Sequence, residues 1–249
     1  MYLSCLLINV GEDPDRPRPG RLWLRNLYRV HQRLCMAFPS RGRKERDREF
    51  LEPYAPADFG EADVHVRRSE DGGFLFRVDP QPGGNPMILV QSAHPPDWDY
   101  AFHNAQYLLA AKPEVKAYQP RLEKGRRLRF RLKANSTRRA CKNSRHPSGQ
   151  PLDSKWIGKR IPVRVEALRD WLDRCAQRSG FHVTALTKTV AGYVYFNETG
   201  EKGKSKRLSS VLFEGTLEVD DPTAFATALR AGMGHGKAFG FGLLSLAPV

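Results

Sequence analysis

The hydrophobic pattern of this 249-residue chain passes through the same order of elements twice, and that repetition restricts the fold more than any other feature. In the second half, Leu128, Phe130 and Leu132 alternate with Arg127, Arg129, Arg131 and Lys133, the period of a strand with one apolar face. Val163 to Ala176 reads as a helix with Val165, Leu168, Leu172 and Cys175 on one face, and Gly180 follows its end. His182 to Val190 and Gly192 to Phe196 read as strands, a charged tip spans Gly200 to Arg207, and Val211 to Val219 is extended again. Asp221-Pro222 opens a helix to about Arg230, and Phe241 to Leu246 is a closing strand.

The first half follows the same course. Met1 to Val10 lacks a basic leader and a small-residue cleavage site, and reads as a buried first strand. The Pro- and Gly-rich stretch Gly11 to Arg21 reads as a loop. Asn26 is placed to cap a helix that Pro39 stops after Phe38. Leu24, Leu27, Leu34 and Phe38 recur there at helical spacing, with Tyr28 and His31 in the same stripe. Arg41 to Phe50 is charged enough to continue as a second, solvated helix. Val64 to Arg68 and Phe74 to Val78, around Asp71-Gly72-Gly73, predict a hairpin. Met87 to Gln91 is a strand, Asp97 to Gln106 a short helix, and Ala110 to Gln119 weakly extended. Two β-α-β-β-α-β units describe this order most simply. The expected fold is α+β, two tandem ferredoxin-like (RRM-like) domains over residues 1–120 and 121–249.

Forty-one Lys and Arg against 27 Asp and Glu leave a formal charge of +14. Such an excess destabilises the compact state by self-repulsion unless a polyanion neutralises it, and nucleic acid is the leading candidate. A membrane partner is disfavoured, because no run of about 18 apolar residues is present. Cys5, Cys35, Cys141 and Cys175 are widely spaced, which suits isolated thiols in a reducing cytoplasm better than a disulfide framework or a zinc site.

Three constellations carry possible chemistry. Tyr28 and His31 stand three residues apart on one helix, so their side chains are neighbours, and imidazole suits proton transfer near neutrality. Spacing by itself still favours a packing role for this pair. The run Gly232-Met233-Gly234-His235-Gly236-Lys237-Ala238-Phe239-Gly240-Phe241-Gly242 is neither a P-loop nor a dinucleotide fingerprint. Gly234 and Gly236 permit close backbone approach and Lys237 adds a phosphate-seeking charge, although a tight helix-to-strand loop explains the run equally well. Arg127, Arg129, Arg131 and Lys133 share one face of a strand, and Arg138, Arg139, Lys142 and Arg145 follow it. An edge strand also uses Lys and Arg against aggregation, but Asp and Glu are absent from Gly125 to Leu152, which favours a groove for an RNA backbone. No metal-ligand cluster, paired carboxylates or G-x-S-x-G is visible, so no cofactor is expected. Gly192-Tyr193-Val194-Tyr195-Phe196 is faintly similar to the aromatic strand of an RNA recognition motif, without its full signature.

Met1-Tyr2-Leu3-Ser4, Asn26 to Leu34, Arg129 to Asn135, Val211-Leu212-Phe213-Glu214-Gly215 and the ending Gly232 to Pro248 together resemble the CasE family, in order and from end to end. These are the repeat-processing endoribonucleases of type I-E CRISPR systems, within the RAMP superfamily. The resemblance implies tandem ferredoxin-like domains and metal-free cleavage of CRISPR precursor RNA at the base of each repeat hairpin. It also implies that the product is retained in the Cascade surveillance complex. The family's Tyr-x-x-His falls on Tyr28 and His31, which turns the reading of that pair from packing to catalysis. Some relatives carry a lysine five residues after the histidine; Met36 stands here, so that role does not carry over. Gly11 to Arg21 and Glu52 to Asp63 look longer than in relatives.

The implied chemistry needs little from the protein. The 2′-OH beside the scissile phosphate is the nucleophile and leaves a 2′,3′-cyclic phosphate and a 5′-OH. One imidazole as acid or base contributes about 10²–10⁴-fold, and basic groups stabilise charge on phosphorus. The rival reading is a non-catalytic RNA-binding subunit of a CRISPR complex, for which a Tyr-x-x-His is unnecessary.

Overall fold

The computed structural model describes residues 1–11, 18–52, 73–145, 150–196 and 206–249. The first sheet is built from β1 (Tyr2–Leu7), β2 (Phe74–Asp79), β3 (Met87–Ser92) and β4 (Glu114–Ala117), in the order β2-β3-β1-β4 and antiparallel throughout. Then come β5 (Arg127–Ala134), β6 (Thr137–Arg139), β7 (Arg160–Pro162), β8 (Phe181–Phe196), β9 (Lys206–Val219) and β10 (Leu244–Pro248). β6 and β7 pair as a small ribbon, and the rest form a second antiparallel sheet in the order β10-β5-β9-β8. In each sheet the first strand lies between the fourth and the third, and the second is outermost. That is the ferredoxin-like order, so the chain holds two such units in tandem.

Helices α1 (Pro19–Leu24), α2 (Leu27–Cys35), α3 (Arg41–Arg46) and α4 (Trp98–Ala101) belong to the first unit, and α5 (Leu168–Arg178) and α6 (Pro222–Ala231) to the second. Asn26 caps α2 by accepting from the backbone N–H groups of Tyr28 and Arg29. Nine residues are too few for a stable isolated helix in water, so α2 depends on packing. Leu27, Val30 and Leu34 are buried against Phe74, Phe76, Ile88 and Val90, each worth about 1.5–3 kcal/mol relative to exposure. In the second unit the alternation of β5 holds: Leu128, Phe130 and Leu132 pack with Leu168, Leu172, Phe213, Phe225 and Leu229. Asp221 caps α6 and Pro222 starts it. Gly180, at φ 74°, ends the α5 region where a Cβ would meet the Asp221 carbonyl at 2.5 Å. Among the described residues no helix is long and apolar enough to cross a membrane.

One buried guanidinium joins the two sheets. Arg77 of β2, 2% exposed, donates to both carboxylate oxygens of Asp79 at 2.8–3.0 Å. Its Nη1 also donates to the Arg131 carbonyl at 3.1 Å, the Leu243 carbonyl at 3.4 Å and Ser245 Oγ at 2.9 Å. Gln91 of β3 adds a buried bond from Nε2 to the Leu229 carbonyl at 2.7 Å.

Several local expectations are corrected. The second charged helix stops at Arg46 and is not wholly solvated, because Arg43 is 1% exposed and paired with Asp47 at 2.7 Å. The amphipathic helix of the second unit begins with a 3₁₀ turn, and Val165 is 67% exposed instead of facing the core. Its regular turns start at Leu168, which shifts the apolar stripe by nearly one turn. The segments His182–Val190 and Gly192–Phe196 form one strand with two bulges, because β9 pairs along its whole length. The closing strand begins at Leu244, since Phe241 and Gly242 belong to the preceding loop. Pro19 begins a helix inside the expected Gly11–Arg21 loop. The expected strand Val64–Arg68 and its turn at Asp71-Gly72 lie outside the described residues; Phe74–Asp79 pairs with Met87–Ser92.

Arg77→Ala leaves the Asp79 carboxylate buried and the three acceptors of the second unit without their donor. Loss of one partner of a buried pair costs about 3–5 kcal/mol. Urea unfolding is expected to show a loss of that size, and a wild-type midpoint would show that the two units do not depend on the contact.

Candidate functional site

Helix α2 presents Tyr28 and His31 with ring centroids 6.3 Å apart, but in different surroundings. Tyr28 is 36% exposed, whereas His31 is 5% exposed. The imidazole lies against Phe74 at 5.3 Å and Phe76 at 6.2 Å, both in stacked orientation. Its Nε2 is 3.7 Å and its Nδ1 4.0 Å from Cys35 Sγ, one turn along the helix. Cys35 was not singled out from the sequence. The signal available was its spacing, since residues four apart on a helix are neighbours.

The glycine-rich run reaches this helix from the second unit. Phe239 places its ring 6.0 Å from that of Tyr28. The loop is closed at its base by Met233 N donating to the Gly242 carbonyl at 2.9 Å, and Gly242 N donating to the Lys133 carbonyl at 2.8 Å. A Cβ on Gly242 would sit 2.7 Å from the Met233 carbonyl oxygen, and φ there is 90°. Gly236 and Gly240, both left-handed, bracket the turn Lys237–Phe239. A bridge between Asn135 and His235 ties the loop to the end of β5. Gly234 lies over Trp171. Lys237 Nζ donates to the Ala231 carbonyl at the end of α6, where the helix dipole favours a cation.

The basic strand is less free than its composition implied. Arg127 pairs with Glu218 at 2.9 Å, and Arg131 with Glu214 at 2.6 Å and Asp79 at 3.8 Å. Arg129 is exposed and donates to the Pro248 carbonyl at 2.8 Å. Lys133 is half-buried over the Phe241 ring; burial pushes its amine pKa down, with Asp79 opposing and Arg77 adding to the shift. The acidic partners were visible as alternate residues of β9, but the register that sets Glu218 opposite Arg127 and Glu214 opposite Arg131 was not. Arg127 stands six residues from Lys133, roughly 20 Å along an extended strand. The loop therefore meets the strand only at its Lys133 end.

Beyond that end, Arg138 is half-buried and donates to Ser144 Oγ at 2.8 Å, while Arg139, Lys142 and Arg145 are exposed. Arg160, not anticipated from the sequence, pairs in register with Arg139. Burial, with the positive charges of Arg160 and Lys237, holds the His235 pKa below the ordinary imidazole value. The structure thus gathers Tyr28, His31, Lys133, Gly236, Lys237, His235 and Arg160 around one loop, and leaves Arg127 and Arg129 outside that group. Among the described residues no group of three or more His, Cys, Asp or Glu is placed to hold a metal ion.

Two ferredoxin-like units in tandem, joined by a glycine-rich loop laid on a Tyr-x-x-His helix, define the class. The family model described as CRISPR associated protein matches residues 1–248. Over the full length of both chains the sequence is 30% identical to the CRISPR-associated endoribonuclease Cse3 of Thermus thermophilus. It is likewise 30% identical over the full length to the CRISPR system Cascade subunit CasE of Escherichia coli K12. A solved structure of CRISPR endoribonuclease Cse3 bound to 19 nt RNA superposes with a TM-score of 0.68 at 30% identity, covering all of both chains. The chain belongs to the CasE family of CRISPR-associated proteins.

Gly236→Val forces a β-branched residue to φ 77° and places its Cβ 3.1 Å from Phe241. Such a residue costs about 1–3 kcal/mol. The expected outcome is a loss of that size in urea unfolding, and an unchanged midpoint would mean that the loop relaxes freely.

Proposed function

We propose that this protein is a metal-independent endoribonuclease that cuts CRISPR precursor RNA within each repeat, at the base of the repeat hairpin. The observation that carries the reading is the contact of Phe239 with Tyr28, which lays the phosphate-seeking loop of one unit on the Tyr-x-x-His helix of the other. Full-length likeness to Cse3 and CasE supplies the substrate class. The units divide near residue 120, in the connection between β4 and β5.

RNA brings its own nucleophile. His31 acts as general acid or base, taking the proton of the 2′-OH or giving one to the departing 5′-oxygen. Tyr28, on the exposed side of the pair, orients the phosphate or the 2′-OH. Lys237, Lys133 and the nearby arginines provide the positive field that favours the transition-state charge. At 5% exposure the imidazole must become accessible when RNA binds. The turn bounded by Gly236 and Gly240 is the segment that yields, because both glycines tolerate the required backbone change. The product then stays bound in the cytoplasmic Cascade complex, a reading supported by likeness to a protein named a Cascade subunit.

The burial of His31 favours a second reading, a non-catalytic RNA-binding subunit that keeps the imidazole as a packing group. Single-turnover cleavage of repeat RNA in EDTA separates the two. Cleavage is expected to persist in the chelator, and His31→Ala to slow it by at least about 10²-fold with little change in affinity. Tyr28→Phe is expected to do less, since its ring still meets Phe239. Equal rates for His31→Ala and wild type would establish the second reading.

Phosphate contacts release counterions, so losing one lowers the slope of log K against log salt by about 0.7–0.9. Arg129→Ala and Arg139→Ala are each expected to do so, and to weaken all stem sequences alike. Arg127→Ala and Arg131→Ala are expected to change the slope less, because Glu218 and Glu214 already neutralise them. An unchanged slope after joint replacement of Arg129, Arg131, Arg138 and Arg139 would leave the strand as an ordinary solvated face.

A further inference from the structure

Cleavage of RNA by its own 2′-OH moves two protons. The 2′-OH loses one as its oxygen bonds to phosphorus, and the 5′-oxygen gains one as its bond to phosphorus breaks. The attacking and leaving oxygens lie in line on opposite sides of the phosphorus, so a single imidazole is badly placed to serve both. Imidazole is the side chain suited to either duty near neutral pH. The group around the glycine-rich loop holds two of them, His31 on α2 and His235 on the loop, and the cleavage proposed above uses only the first.

His235 is exposed, whereas His31 is buried. It directly precedes Gly236, and Phe239 N donates to the Gly236 carbonyl at 2.9 Å, so His235 and the ring that meets Tyr28 stand at the two ends of one turn. At the Phe239 end of that turn, a Cβ on Gly240 would lie 3.2 Å from the Phe76 ring, against which the His31 imidazole is stacked. The same short segment therefore touches the surroundings of one imidazole and carries the other. Its backbone is held by the bridge from His235 to Asn135, next to the end of β5. Two charges act on the His235 ring, Arg160 from β7 and Lys237 from the loop itself. Partial burial and these two charges push its pKa down, so the neutral, proton-accepting form persists to lower pH than in an ordinary histidine. The amines of the group are committed elsewhere: Lys237 Nζ donates to the Ala231 carbonyl, and Lys133 lies half-buried over the Phe241 ring.

We propose that His235 is the general base of the reaction, taking the proton of the 2′-OH, and that His31 is the general acid that protonates the departing 5′-oxygen. The proposal rests on the cleavage reading above and assigns its two proton transfers. The O2′–P bond forms as the P–O5′ bond breaks, one proton passes to His235 and one leaves His31, and the products are the 2′,3′-cyclic phosphate and the 5′-OH. The scissile phosphate then lies between α2 and the loop, with Arg160 and Lys237 on the side of the attacking oxygen, where they stabilise the developing negative charge. Neither cation replaces the imidazole, because a protonated guanidinium or ammonium accepts no proton.

The test is single-turnover cleavage by the full-length protein in EDTA, with a synthetic repeat hairpin and with the same RNA carrying sulfur in place of the 5′-bridging oxygen at the cleaved bond. A thiolate leaves without being protonated, so the sulfur substrate needs the base but not the acid. On the natural linkage, His235→Ala is expected to slow cleavage by about 10²-fold or more near neutral pH, with unchanged RNA affinity. His235→Lys, which keeps a cation at the position, is expected to be as slow. Both variants should lose the rising limb at the acid end of the pH–rate profile, which reports the base. The sulfur substrate is expected to restore His31→Ala to near the wild-type rate and to leave His235→Ala slow. The assignment is overturned if His235→Ala or His235→Lys cleaves as wild type does, if the loss appears in affinity instead of rate, or if sulfur rescues His235→Ala as well as His31→Ala. A wild-type protein that cuts neither substrate, or a His31→Ala variant as fast as wild type on both, would defeat the cleavage reading itself and this assignment with it.

Discussion

Arg77 sits on the first sheet, yet three of its acceptors, the Arg131 and Leu243 carbonyls and Ser245 Oγ, belong to the second. A buried guanidinium needs its charge balanced and its N–H groups bonded. Asp79, two residues away on the same face, supplies the balance, and β5 with the approach to β10 supplies the remaining acceptors. Those acceptors are available in one relative placement of the two sheets, so the polar contact selects an arrangement that apolar packing alone would leave loose. Gln91 repeats the device at Leu229, the last buried position of α6.

The consequence is felt at α2. With the sheets docked this way, the loop that leaves α6 has to pass over Leu75 and Phe76 and return to β10. Gly232 and Gly240 lie directly against those side chains. Phe239 is thereby delivered to Tyr28. The candidate site is not a property of either unit: one contributes the imidazole and phenol, the other the glycine loop and the cations. His31 is buried among Phe74, Phe76 and Cys35.

Charge is distributed less simply than the excess of 14 suggests. Along β5 the cations facing away from the core alternate between paired and open, with Glu214, Glu218 and Asp79 opposite Arg131 and Arg127. Beyond Lys133, on the β6–β7 ribbon, Arg139 and Arg160 stand in register, and Arg160 adds to the positive field at His235 of the loop. An RNA backbone entering there would meet the cations before the helix that carries the proposed chemistry.

The amino-acid sequence by itself determined the two β-α-β-β-α-β units. Alternation at β5, the Asn26 and Asp221 caps and the stripe of α2 are local signals whose physical cause lies within a few residues. It also marked Tyr28, His31 and the glycine run, through residue type, spacing and resemblance. Its errors were local too: Val165 fell on the wrong side because a 3₁₀ turn changes the period before α5, and Arg43 was read as solvated because its partner Asp47 could not be told from a surface i,i+4 pair. Only the tertiary structure decided that Glu218 and Glu214 neutralise two of the four strand cations, that Arg160 acts on His235 of the loop, that Cys35 borders the imidazole and that Arg77 locks the sheets. Each of these depends on strand register or on contacts between residues as far apart as Arg77 and Ser245, and register is set by the whole packed sheet and not by any one segment of chain.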